Sequence, residues 1–144
     1  ESGRTIIGGG GIIPDYIAAK DTTTLLTKVL IKKGILLEFA YHFVYSNREE
    51  LESLFDDDVR KYAAKFNVSD ELMEVFRRFC YVEKTFNEDM YRIDKEILRL
   101  IIKAEIARTL WGSKGYAKVM AATDNPIRTA VKLFPQATKL LEVN

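Results

Sequence analysis

The stretch from Asn87 to Trp111 constrains this chain most. Ile93, Ile97, Leu100, Ile101, Ala104, Ala107 and Trp111 recur at helical spacing and form one apolar stripe. Leu98, Ile102 and Ile106 form a second stripe beside it. Arg92, Lys95, Glu96, Arg99 and Lys103 fill what is left, a narrower polar face. A helix that is apolar over more than half its circumference must be covered on two sides. The rest of the chain therefore has to supply several elements that pack around it. It has the means: 47% of the 144 residues are hydrophobic and 30% are charged, the balance of a folded domain. A chain of this length buries about two-thirds of its unfolded surface, enough for a true core.

Cap residues and stops divide the remaining sequence into further helices. Asp21 is placed to cap a helix over Thr22–Lys33, with Gly34 as its stop. Ile35–Ser46 is strongly apolar, through Leu36, Leu37, Phe39, Ala40, Phe43 and Val44. Asn47 then reads as the cap of a new turn, with Glu49, Glu50 and Glu52 near its N-terminus. Asp56, Asp57 and Asp58 open a helix to Phe66. Ser69-Asp70-Glu71 opens another that carries Leu72, Val75, Phe76, Phe79 and Cys80. Gly112 ends the central helix, and Tyr116–Thr123 is a shorter one. Asn125-Pro126 begins a segment over Ile127–Phe134, which Pro135 kinks or restarts.

The first twenty residues have a different character. Five of the 8 glycines fall there, at Gly3, Gly8, Gly9, Gly10 and Gly11. Arg4–Ile7 and Ile12-Ile13 are rich in β-branched residues, and Pro14-Asp15 marks a turn. Tyr16–Ala18 is able to resume a strand. Two short strands are not stable alone, and no later segment offers a partner. The expectation is a mainly α, multi-helix bundle over residues 21–144, preceded over 1–20 by an extended segment whose sheet lies upstream, in a longer protein from which this chain was cut.

Composition closes off several chemistries. Formal charge is 22 − 21 = +1, which is no basic footprint for nucleic acid. One cysteine, Cys80, allows neither an internal disulfide nor a cysteine zinc site, and it reads as a small buried hydrophobe. One histidine, His42, excludes a two-histidine zinc helix; Glu38, four residues earlier, gives it at most a local partner. No run approaches the roughly 20 apolar residues of a membrane span, and Glu1-Ser2-Gly3-Arg4 opens no signal peptide. Gly8–Gly11 lacks the lysine and the helix that phosphate loops need, so it reads as a backbone bend or bulge. Ser113 and Lys114 are adjacent and do not face each other on a helix or turn, and no serine here has a lysine three residues on. Asp56–Asp58 lacks the alternating ligands and glycine of a calcium loop and reads as a charged helix start. Tyr16, Tyr41, Tyr45, Tyr62, Tyr81, Tyr91 and Tyr116 suit core and boundary packing, or the lining of a groove. No catalytic constellation, metal site or cofactor site follows from these residues.

The stretch Ser2-Gly3-Arg4-Thr5-Ile6-Ile7-Gly8-Gly9-Gly10-Gly11-Ile12-Ile13-Pro14-Asp15 closely resembles a motif of the carboxy-terminal processing, or tail-specific, serine peptidases, relatives of the tricorn core. In that family such a segment closes the peptidase domain, after the catalytic residues. Ala104-x-x-Ala107-Arg108-x-Leu110-Trp111-Gly112, followed by Asn125-Pro126-Ile127, also resembles the helical tail of a bacterial subgroup. The resemblance implies a parent α/β peptidase with a serine nucleophile, a lysine base and a peptide-binding PDZ domain, in the periplasm or cell envelope of a bacterium. A lysine serves as base when desolvation lowers its pKa. Both catalytic residues precede the glycine motif in that family, so no position of this sequence takes their roles. Gly8, Gly9, Gly10, Gly11, Pro14 and Asp15 match structural positions only. The implied partners are the upstream peptidase and PDZ domains, the parent's protein and peptide substrates, and a second copy through self-association. The alternative is a free-standing helical module that binds a protein through an aromatic groove.

Overall fold

A computed structural model describes residues 23–82 and 86–123 of the chain. Among them are five helices and no strand: α1 (Leu25–Lys32), α2 (Ile35–Phe55), α3 (Val59–Lys65), α4 (Asp70–Val82) and α5 (Glu88–Thr123). The chain is a multi-helix bundle. The extended segment expected over 1–20, the Asp21 cap and the segment after Asn125 lie outside the described residues.

Four of the five helices start at a side chain that satisfies an orphan backbone donor; α2 starts at Gly34 without one. The Thr24 hydroxyl accepts from Leu26 N and caps α1, so the cap sits three residues later than Asp21. Asp58 accepts from Arg60 N at 2.8 Å and Lys61 N at 3.2 Å to open α3. Ser69 Oγ accepts from Leu72 N at the start of α4, and Asn87 Oδ1 from Met90 N at the start of α5. Gly34 joins α1 to α2 with φ +72°, a left-handed conformation that a glycine adopts without a Cβ clash.

Two expectations need correction. Asn47 does not cap a new helix. It lies inside α2 with φ −125° and ψ 18°, and its amide donates back to Phe43 O at 2.8 Å, so the helix kinks and continues. Ile93, placed in the first apolar stripe, is 72% exposed. The buried face of α5 runs instead through Leu98, Ile101, Ile102, Ala104, Ile106 and Ala107, while Ile97 and Leu100 are half-buried.

The central role expected of α5 holds. It touches α1, α2 and α3, and its contact with α2 is the most extensive in the bundle. Gly112 breaks it, with φ 66° and ψ −159°. The limb 113–123 folds back so sharply that Gly115 lies against the Ala107 carbonyl; a Cβ at Gly115 would stand 2.9 Å from that carbonyl carbon and 3.1 Å from Trp111 Cβ. The core is aromatic at one end. Tyr62 stacks on Phe66 at 4.7 Å and meets Phe55 and Trp111 edge-on at 5.1 Å each. Phe39 meets Phe76 and Phe79 in a second cluster.

Candidate functional site

Two polar constellations hold the helices in place. In the first, Asp94 of α5 is buried and accepts from the start of α1: from Thr24 N at 3.1 Å, Thr24 Oγ1 at 2.6 Å and Thr27 Oγ1 at 2.6 Å. Burial raises the pKa of this carboxyl, and the hydrogen bonds from Thr24 and Thr27 outweigh it, so the net shift is downward. Asp94 thus caps α1 from a distant helix and ties the start of α1 to α5.

The second lies on the polar face of α5. Lys95, Arg99 and Lys103, one turn apart, do not simply face water. Lys103 Nζ donates to Ala63 O at 2.7 Å, and Tyr62 Oη donates to Lys103 O at 3.0 Å. Arg99 donates to Val68 O and to Asp70, and Lys95 Nζ to Asp70 at 2.8 Å. These cations clamp the connection between α3 and α4 onto α5. Partial burial lowers the Lys103 pKa, while the bonds from Lys95 and Arg99 lower that of Asp70.

The aspartate run divides its tasks. Asp56 (φ 48°) and Asp57 (φ 56°) turn the chain in left-handed conformations, and Asp58 caps α3. Asp56 pairs with Lys61 at 2.8 Å, and Asp57 accepts from Trp111 Nε1. The charged helix start expected of all three is therefore the role of Asp58, and the other two form the turn before it. Beside them lies a cleft of about 280 Å³ lined by Arg48, Leu51, Glu52, Asp57, Leu110 and Trp111. Its polar groups are Arg48, Glu52 and Asp57.

The other singled-out residues are dispersed. Gly8–Gly11, Pro14, Asp15 and Tyr16 lie outside the described residues. Ser113 and Lys114 are exposed neighbours just after the Gly112 break. His42 is exposed on α2, its ring 5.8 Å from that of Phe79. Cys80 is buried in the core. The tyrosines separate: Tyr62 and Tyr91 are buried, Tyr116 is half-buried under Arg108, and Tyr41, Tyr45 and Tyr81 are exposed. Among the described residues no group of three or more His, Cys, Asp or Glu is placed to hold a metal ion, and no helix is long and apolar enough to cross a membrane.

Sequence reasoning missed Glu105. It is 8% exposed, and its Oε2 has no hydrogen-bond partner. Arg108 Nε lies 3.5 Å away, an ion pair without hydrogen-bond geometry. Burial raises the Glu105 pKa, and Arg108 offsets part of that rise. Its position on the turn before Arg108 gave no signal, because charges three residues apart on a helix read as a surface pair.

Among the described residues the polar groups cap helices, clamp connections and line clefts on the surface of α2, one of them along Tyr45–Glu50. Comparison with curated proteins and with solved structures gave no match. Residues 26–112, from the first turn of α1 to the Gly112 break, match the model of the Family of unknown function (DUF8443), and the chain belongs to that family.

Proposed function

We propose that this chain is the non-catalytic C-terminal helical region of a tail-specific serine endopeptidase. Its helices brace the peptidase domain, shape substrate access or mediate self-association. The parent cleaves peptides with a serine–lysine dyad that precedes residue 1, and it works in the periplasm or cell envelope of a bacterium. One observation carries the reading: the ordered match of Ser2–Asp15, with Gly8–Gly11, Pro14 and Asp15 in place, to the segment that closes the peptidase domain.

The test compares peptide hydrolysis by the parent with and without residues 21–144, and by residues 1–144 alone. The full reading frame should encode a PDZ-like domain and a Ser…Lys pair ahead of Glu1. Hydrolysis by residues 1–144, abolished by Ser113→Ala, overturns the assignment. A second reading, a free-standing protein-binding helical module, draws on exposed Tyr41 and Tyr45, one turn apart on α2. A start codon directly ahead of Glu1 favours it.

A further inference from the structure

The last limb of α5 is fastened to the turn that carries the orphaned carboxylate. Gly112 breaks the helix with φ 66°, and residues 113–123 continue beyond it. Along that limb Gly115 and Val119 are buried, and Tyr116 and Met120 are half-buried, so one of its faces packs on the bundle. Gly115 is seated against the Ala107 carbonyl. The Arg108 guanidinium lies 4.2 Å over the Tyr116 ring, and Arg108 Nε lies 3.5 Å from the Glu105 carboxylate. Arg108 therefore touches both the limb and Glu105.

Glu105 is the strained member of this arrangement. Its Oε2 is shut away from water and accepts no hydrogen bond. A neutral carboxyl tolerates such a site; a carboxylate does not, because a buried charge without hydrogen bonds costs far more than a buried neutral group. The groups around it are Arg108, one turn further along α5, and the Tyr116 hydroxyl, which senses Glu105 from the limb. Among the described residues, no charged group of α1, α2, α3 or α4 offsets its burial. Burial outweighs Arg108, so the folded chain holds the Glu105 proton more tightly than the ordinary value of 4.5 implies.

We propose that residues 113–123 form a pH-responsive flap that pivots on Gly112, is held shut while Glu105 is protonated and is released when Glu105 ionises. With Glu105 neutral, Arg108 is free to lie over the Tyr116 ring, and the limb closes. With Glu105 charged, the carboxylate draws Arg108 off that ring and needs water at Oε2; lifting the limb meets both demands. Gly112 keeps the movement local, since its left-handed φ lets the chain turn at one residue. Opening uncovers Val119 and Met120, so acid keeps an apolar strip covered. The open flap leaves Glu105 in water with its ordinary pKa. The shut form is therefore most favoured below 4.5. It gives way as pH rises from there through the raised folded value, by up to tenfold per pH unit.

Hydrogen–deuterium exchange on the 1–144 chain at pH 5 and pH 8 tests this, with rates converted to protection factors against the unfolded peptide at each pH. Protection over 114–122 should fall several-fold at pH 8, while protection over 96–106 holds. Glu105→Gln stays neutral at both pH values, so its limb should keep at pH 8 the protection of the unsubstituted limb at pH 5. A carbon-13 titration of the Glu105 carboxyl needs no variant: its midpoint should lie above 4.5, and the fall in limb protection should level off above that midpoint. Four outcomes overturn the flap: equal limb protection at both pH values, a loss that Glu105→Gln does not prevent, a loss shared equally by 96–106, or a Glu105 carboxyl that titrates at or below 4.5.

Discussion

Asp94 and Glu105 are two carboxylates on one helix with opposite fates. Asp94 accepts several hydrogen bonds, and its pKa is lowered; Glu105 lacks a partner for one oxygen, and its pKa is raised. For Asp94 the folded state holds its proton less tightly than the unfolded chain. Its contribution is complete above the ordinary aspartate value near 3.8 and is lost as pH falls through the lower folded value. Asp94→Ala should cost about 3 kcal/mol at pH 7, because it strands the buried Thr27 hydroxyl and releases the start of α1. Urea denaturation at pH 7 and at pH 3 measures it, and the penalty should shrink at the lower pH. Glu105 runs the other way. Folding favours its protonated form, so its unfavourable effect is absent below the ordinary value of 4.5 and grows as pH rises through the raised folded value. Glu105→Gln should therefore stabilise the chain by about 1 kcal/mol at pH 8 and change little at pH 4. Paired thermal melts at the two pH values decide this.

Elements were legible where a local signal sets a boundary. Asp58, Ser69, Asn87, Gly34 and Gly112 each mark an end or a break through their own backbone or side-chain chemistry. Asn47 misled because the same side chain that caps a helix also bonds back to the carbonyl four residues earlier. Ile93 continued the stripe in sequence, yet no described element covers that turn. The cationic clamp was illegible because its acceptors, the Ala63 and Val68 carbonyls and the Asp70 carboxylate, lie on a distant connection and leave no periodic trace. Lys103→Met keeps the apolar stem and removes the bond to Ala63 O; it should cost about 1 kcal/mol and loosen α3 first, as amide exchange at residues 59–66 would register. The Gly112–Gly115 turn permits little substitution. Gly115→Ala drives a methyl group into the Ala107 carbonyl and should cost about 2 kcal/mol or more, whereas an exposed alanine at Ser113 should cost almost nothing. Chemical denaturation of both variants compares them.

For the molecule as a whole, the sequence anticipated a helical bundle around one dominant helix because amphipathic width is a property of the stretch itself. It could not anticipate how that helix is held, since the Thr24–Asp94 hydrogen bonds join residues 70 positions apart. The proposed role links a glycine-rich motif at one end of the sequence to a helical bundle. On the proposed function, removing residues 21–144 from the parent should leave its serine–lysine dyad chemically intact but change its peptidase rate or its substrate range. The most direct measurement sets the intact parent and residues 1–144 side by side against one unstructured peptide. The account predicts cleavage by the parent and none by residues 1–144; cleavage by residues 1–144, or an inert parent whose reading frame holds no serine–lysine pair, contradicts it.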